Sequence, residues 1–147
     1  TGEQKPLCDL LGPGSHGTTF GGTPLACAGA LEVLSVIEEE RLLANARDLG
    51  AHARTALQAL PSPLIKEVRA LGLMLGIELA PDFLPRIEET TPRAPSWFLV
   101  DQLHAAGLLA VPSGAQIVRW LPPLNVKREE IDEAVQILGR VLRQLGT

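Results

Sequence analysis

The sequence predicts an α+β fold in which a long helix precedes a small layer of strands and helices. A continuous apolar run begins at Pro24, two short apolar runs meet at Gly72, and a clear helical period ends the chain. The expected order is helix, β-hairpin, helix, strand, strand, helix. We therefore divide the chain into an opening segment over 1–23, a long connecting helix over 24–60 and a small α+β domain over 61–147.

The long helix is predicted by its first residues and by its apolar content. Thr23 is a suitable N-cap and Pro24 a suitable first residue, because the N–H that proline lacks would be unpaired there anyway. Over 24–37 nearly every face is apolar, as in a helix that is buried on several sides. Apolar residues then recur every three or four positions as far as Leu60, so we expect the helix to continue there with a break near Gly50.

Shorter elements follow, and turn residues separate them. The apolar runs on either side of Gly72 predict two tightly joined strands. Residues 81–95 carry four prolines and are predicted to form a loop. The remaining predicted elements are a helix over 97–107 that stops at a glycine, strands over 108–111 and 116–121, and a last helix with an apolar face from Ile131 to Leu145.

Composition excludes several classes of function. The 147 residues are 46% hydrophobic and 20% charged, which is typical of a folded globular protein and not of a disordered one. A net charge of −4, no basic cluster and 3% aromatic residues argue against binding to nucleic acid. The sequence has no apolar run of the roughly 18 residues that span a membrane, and no charged-then-apolar segment opens it, so we expect a soluble protein that is not exported. The cysteines, Cys8 and Cys27, have no metal-ligand spacing, so we expect reduced thiols in the cytoplasm and no metal site.

The segment HGTTFGGTP, residues 16–24, leads directly into the predicted helix. Its threonine hydroxyls and backbone N–H groups at a helix N-terminus could hold an anion such as phosphate. The segment lacks the P-loop and dinucleotide-binding patterns. A glycine-rich turn with an N-cap and no ligand has the same composition, so the residues alone leave both interpretations open.

Three segments, in this order, resemble signature segments of the class III pyridoxal-phosphate aminotransferases of the acetylornithine and ornithine type. They are HGTTFGGTPLACA over 16–28, VRALGLMLGIEL over 68–79 and IVRWLPPL over 117–124. The resemblance covers nearly the whole chain. It implies the C-terminal portion of such an enzyme, with the small C-terminal domain of a fold-type I pyridoxal-phosphate-dependent transferase.

The resemblance also implies roles for the residues of the opening loop. Thr19 would bind the phosphate of pyridoxal 5'-phosphate held by the other subunit of a homodimer, and Thr18 would lie beside both the cofactor and the substrate. The backbone of Phe20, Gly21 and Gly22 would shape the cofactor pocket, where glycine permits a close approach to a ligand.

Arg119 would bind the substrate carboxylate by the same resemblance. A guanidinium group suits this role because its planar fork pairs two oxygens at once. On spacing alone, an ordinary exposed arginine on a strand surface remains the alternative. The implied reaction moves the ω-amino group of N-acetylornithine to 2-oxoglutarate in arginine biosynthesis. Ornithine, succinylornithine and 4-aminobutyrate aminotransferases share these motifs, and a non-catalytic binding or dimerisation module is a further alternative.

The chain also departs from the family pattern. The enzymes bind their cofactor covalently through a lysine that lies upstream of these segments, and neither Lys5, Lys66 nor Lys127 has that context. We therefore assign no catalytic residue and expect the chain by itself to be inactive. Thr23 stands where the family usually has asparagine, and Ala70 where it usually has glycine. The chain begins at Thr1 and its one methionine is Met74, so we expect either a trimmed protein or a piece of a longer one.

Overall fold

The computed structural model describes residue 12, residues 14–81, residue 83 and residues 93–146. The chain divides between Glu39 and Glu40 into two compact units. The first unit contains helix α1 (Pro24–Glu39). The second contains helices α2 (Leu42–Gln58), α3 (Pro95–Ala105) and α4 (Arg128–Leu145), and strands β1 (Ile65–Leu71), β2 (Met74–Leu79), β3 (Val111–Pro112) and β4 (Ile117–Trp120).

The four strands form one antiparallel sheet in the order β1-β2-β4-β3. Strands β1 and β2 form the predicted hairpin, in which Leu71 pairs with Met74 across a two-residue turn. Gly72 lies in this turn with φ of +54°, a left-handed conformation that glycine adopts without the steric cost of a side chain. The tight turn fixes the register of the two strands.

One face of the sheet is buried and the other is open. Side chains alternate between the faces of a strand, and in β2 Leu75, Ile77 and Leu79 are buried. Helix α2 packs against β1 and β2, α3 packs against β3 and β4, and α4 packs against both helices. The core of this unit is therefore built between the sheet and α2, α3 and α4, and the Met74, Gly76 and Glu78 side of β2 faces away from these three helices.

The predicted continuous helix over 24–60 is divided into α1 and α2. The division lies at Glu40 and Arg41, and Arg41 adopts a left-handed backbone with φ of 54°. The expected break near Gly50 is wrong, because α2 continues through it. Gly50 instead lies against the hairpin turn, where an added Cβ would be 2.1 Å from the carbonyl oxygen of Gly72.

Helix α1 differs from the expectation of a helix buried on several sides. None of its residues is buried, and Leu25 is 85% exposed. Its apolar composition indicates a surface suited to burial. The predicted burial is not observed within the described residues.

The remaining elements occur in the predicted order, which confirms the α+β fold class. Strand β3 covers Val111–Pro112 and so shares only Val111 with the strand predicted over 108–111, whereas β4 lies within the strand predicted over 116–121 and ends at Trp120. The substitution at Ala70 is compatible with the sheet, because the only described non-glycine residue with positive φ is Arg41. Most of the opening segment over 1–15 and of the proline-rich loop over 81–95 lie outside the described residues. The division of the chain into three segments remains a prediction.

Candidate functional site

The predicted phosphate loop is an exposed turn that ends at the start of α1. Thr23 caps the helix: its Oγ1 accepts a hydrogen bond from the N–H of Ala26 at 3.4 Å and donates one to the carbonyl of Phe20 at 2.9 Å. Thr18 closes the preceding turn, because its Oγ1 accepts a hydrogen bond from the N–H of Gly21 at 3.2 Å. These side chains hold the loop by local hydrogen bonds.

The hydroxyl of Thr19 takes no part in these local hydrogen bonds. No hydrogen bond joins it to any residue that the structure describes, in contrast to the hydroxyls of Thr18 and Thr23. A hydroxyl group can donate one hydrogen bond and accept others. Thr19 therefore has both capacities free for a ligand, whereas Thr23 uses both within the loop and Thr18 uses its oxygen as an acceptor there.

Glycine suits positions 21 and 22 of the loop for two different structural reasons. A Cβ at Gly21 would lie 2.1 Å from Cγ2 of Thr18, so a side chain there would disrupt the turn that Thr18 closes. Gly22 has φ of +82°, in the left-handed region. The side chain of Phe20 is 75% exposed beside them. The loop thus brings together the five predicted residues 18–22 in one exposed turn.

Arg119 lies in the second unit, on the open face of the sheet. It is exposed on β4, where its neighbours Val118 and Trp120 point into the core. It pairs with Gly76 of β2 on one side and with Val111 of β3 on the other. A depression of about 310 Å³ lies on this face, lined by residues that include Arg69, Met74, Gly76, Ser113, Ile117 and Arg119.

The charges around this depression fall into two groups. Arg69 contacts the carboxylates of Glu67 and Glu78 at 2.7 Å each, and Lys66 contacts Glu78 at 2.6 Å. These hydrogen bonds from Lys66 and Arg69 hold the pKa of the Glu78 carboxyl below its usual value. Arg119 has no such partner among the described residues, so its guanidinium is the positive charge that this face leaves available.

One residue that positions the segment after Arg119 was missed from the sequence. The side-chain amide of Asn45 on α2 donates hydrogen bonds to the carbonyl oxygens of Leu124, at 2.7 Å, and Val126, at 3.0 Å. Asn45 fastens the loop between β4 and α4 to α2. The available signal was a polar residue at helical spacing from the apolar positions Leu42 and Leu49.

His52, on helix α2, joins two helices of the fold. Nε2 of His52 lies 2.6 Å from Oδ1 of Asp132, and Nδ1 accepts a hydrogen bond from Arg128 at 2.7 Å. These contacts join α2 to α4. His52 is therefore a partly buried link between helices.

Across 14–81 and 93–146 no cluster of three or more histidine, cysteine, aspartate or glutamate side chains is placed to hold a metal ion. None of the described helices has the length and apolarity to cross a membrane.

Comparison with known proteins identifies the family. The family model for aminotransferase class III matches residues 1–142. The chain belongs to the class III aminotransferases. This confirms the resemblance to the family, and the small α+β fold matches solved aminotransferase structures.

Class III relatives of two kinds match the chain at similar levels. The acetylornithine aminotransferase of Thermosynechococcus vestitus is 44% identical over 145 residues, which is 97% of this chain and 33% of that protein. The ornithine aminotransferase of Bacillus subtilis is 36% identical over 139 residues, 95% of this chain and 31% of that protein. The chain spans about a third of the length of the curated relatives it matches.

Solved class III structures match the fold. The acetylornithine aminotransferase from Elizabethkingia anophelis has a TM-score of 0.75 at 35% identity, with 92% of this chain and 34% of that chain covered. The ornithine aminotransferase from Toxoplasma gondii, whose active site is partially occupied by pyridoxal phosphate, has a TM-score of 0.73 at 34% identity, with 93% of this chain and 31% of that chain covered.

Proposed function

We propose that this chain provides two binding elements of an acetylornithine-type aminotransferase: a loop for the cofactor phosphate and an arginine for the substrate carboxylate. The parent enzyme would transfer the ω-amino group of N-acetylornithine to 2-oxoglutarate in arginine biosynthesis. The proposal extends to a homodimer in the cytoplasm, with the loop contacting the cofactor across the subunit interface. The unpartnered hydroxyl of Thr19, within a loop that has the family's signature, is the observation that carries the proposal.

The donors of the loop fit a phosphate group. Thr19 offers a hydroxyl, and the turn before α1 adds backbone N–H groups near the positive end of the helix dipole. Thr18 and Gly21 hold this turn by their 3.2 Å hydrogen bond. The cofactor supplies electron-sink chemistry for moving an amino group, and the residues of this chain would hold its phosphate.

Arg119 provides the second element. Its guanidinium is exposed and, among the described residues, free of carboxylate partners, so a ligand carboxylate would not have to displace one. A bidentate contact would orient an amino-acid substrate by its carboxylate. The lysines support the assignment of binding without covalent catalysis: Lys66 is paired with Glu78 and Lys127 precedes α4, while Lys5 lies outside the described residues.

Cofactor binding by the complete enzyme tests the role of Thr19. We expect Thr19→Ala to weaken pyridoxal phosphate binding roughly 10- to 100-fold, the loss of one hydrogen bond to a charged group, measured by cofactor absorbance after dialysis. Thr55→Ala is the matched control, because Thr55 is exposed on α2 and its hydroxyl bonds only the carbonyl of Ala51. Wild-type cofactor affinity in Thr19→Ala would refute the role.

Substrate preference is tested with the same enzyme. The initial rates of amino transfer to 2-oxoglutarate are compared for N-acetylornithine, ornithine and 4-aminobutyrate. We expect the highest kcat/KM for N-acetylornithine; a preference for ornithine would instead place the enzyme with the ornithine aminotransferases, which match the chain at comparable identity. The 147-residue chain with added cofactor is expected to show no transfer.

A further inference from the structure

We infer that Gly76 is the specificity-determining position of the Arg119 site: because it has no side chain, it keeps open a floor on which one carboxylate group can lie. This inference rests on the proposed role of Arg119 as the carboxylate-binding residue. It adds that the site accepts a single carboxylate group, and that Gly76 limits the size of the group that can bind there.

The strand register places Gly76 at the centre of the site. Gly76 pairs with Arg69 on β1 and with Arg119 on β4, so the three residues form one row across the sheet. Directly opposed residues in antiparallel strands lie roughly 5 Å apart between Cα atoms. A group about the width of one strand can therefore lie over Gly76, beside the guanidinium of Arg119.

The space over Gly76 is open on the face away from the core. Gly76 alternates in β2 with Leu75 and Ile77, which are buried on the helix side, and it lines the depression of about 310 Å³. A Cβ built at Gly76 would meet only Cγ2 of Ile117, at 3.6 Å, which is an ordinary contact. Gly76 is thus not required by local packing, and a side chain there would extend into the depression.

The charges select one carboxylate and not two. Lys66, Arg69, Glu67 and Glu78 form a network with two positive and two negative charges, so it carries no net charge. Arg119 then contributes a single positive charge to the site. A second carboxylate placed over β1 would meet the carboxylates of Glu67 and Glu78, which already occupy Arg69.

The test is a titration of the 15N-labelled chain with sodium propionate against sodium chloride at constant ionic strength, followed by the amide shift of Gly76. We expect saturable binding by the wild type and weaker binding of malonate despite its second charge. Gly76→Leu is expected to weaken propionate binding about 10-fold or more, and Gly76→Ala roughly threefold, as the added groups occupy the floor. In the Gly76 variants the reporter is the Nε–H shift of Arg119.

Controls separate this inference from misfolding and from the proposed function. Gly29→Leu is the matched control, because a Cβ at Gly29 meets nothing within 4 Å. If circular dichroism shows that Gly76→Leu is unfolded, the propionate affinity of Gly76→Ala alone tests the role of Gly76. Wild-type propionate affinity in the folded Gly76 variants, no propionate binding by the wild type, or tighter binding of malonate overturns the inference.

Arg119→Gln distinguishes the inferred role of Gly76 from the proposed role of Arg119. Loss of propionate binding in Arg119→Gln together with unchanged binding in Gly76→Leu refutes the role of Gly76 and leaves the role of Arg119 in place. Unchanged binding in Arg119→Gln refutes both, whereas the role of Thr19 in cofactor binding is measured independently.

Discussion

Replacement of Gly50 by alanine tests the close contact between α2 and the β-hairpin. Gly50 lies inside α2, and its backbone packs against the backbone of Gly72 in the hairpin turn. An added Cβ would lie 2.1 Å from the carbonyl oxygen and 2.3 Å from the carbonyl carbon of Gly72. Because these are backbone atoms, the overlap cannot be relieved by rotation of a side chain.

Two opposing effects determine the magnitude. Alanine in place of glycine within a helix stabilises by about 1 kcal/mol through backbone entropy. Overpacking of a close contact costs about 1–3 kcal/mol, and more where backbone must move. The turn would have to move by roughly 1 Å to restore an ordinary carbon–oxygen contact. Because backbone must move here, the cost lies at or above the upper end of this range, and after the gain of about 1 kcal/mol is subtracted we expect Gly50→Ala to lower the free energy of unfolding by about 2 kcal/mol or more.

The assay is urea unfolding followed by tryptophan fluorescence, since Trp97 and Trp120 both lie in the unit that contains Gly50. Gly139→Ala is the matched control. Gly139 is also a helical glycine, but a Cβ there would meet the ends of flexible side chains, Leu60 at 3.1 Å and Arg143 at 3.5 Å. We expect the control to change stability by less than about 1 kcal/mol. A Gly50→Ala variant as stable as the Gly139→Ala variant would refute the reasoning.

Two further predictions concern polar contacts. Asn45→Ala is expected to lower the free energy of unfolding by about 1–2 kcal/mol, because its two hydrogen bonds to the loop after β4 are lost. The control is Asn125→Ala on the same exposed loop, which should change the free energy of unfolding by less than about 0.5 kcal/mol in the same urea assay. Equal effects of the two variants would contradict the role of Asn45. Glu78→Gln is expected to destabilise the protein at pH 7, because the pKa of Glu78 is lowered in the folded state by its hydrogen bonds from Lys66 and Arg69. This stabilisation is present above the unfolded pKa and lost as the pH falls through the folded pKa, so the wild type and the variant should converge in acid; a constant difference between pH 7 and pH 3 would exclude the charge as its origin.

Local sequence rules predicted most of the fold of residues 61–146. The hairpin follows from glycine between two apolar runs, and α4 from its regular apolar period with acidic residues first. Glu130 also accepts a hydrogen bond from the backbone N–H of Lys127 at 2.7 Å, which supports the start of α4 despite the absence of a serine or threonine cap.

The division between α1 and α2 was not predictable by the same rules. Arg41 has no residue-type preference for the left-handed backbone that it adopts, and the glutamates before it favour a helix. The break was predicted near Gly50 because glycine weakens a helix. Its actual reason is a contact with Gly72, twenty-two positions away in the sequence, which a local pattern does not reveal.

The roles of the candidate site residues remain predictions, and the sequence did not predict the contacts of these residues. The family motif indicated both Thr18 and Thr19, but only the structure separates a hydroxyl used within the turn from one that has no described partner. Arg69 and Arg119 are both arginines on strands, and the pairing of β1, β2 and β4 determines which one has carboxylate partners. Such differences arise from register, which the sequence specifies only through the assembled sheet.

The strand order has a consequence for synthesis of the chain on the ribosome. Strand β2 is central in the sheet, yet its second partner, β4, lies roughly forty residues further along the chain. At a translation rate of about 5–20 residues per second, several seconds pass between the emergence of β2 and that of β4. During that interval the hairpin presents an unpaired edge with Leu75, Ile77 and Leu79 on its apolar face, the type of surface that chaperones protect from aggregation.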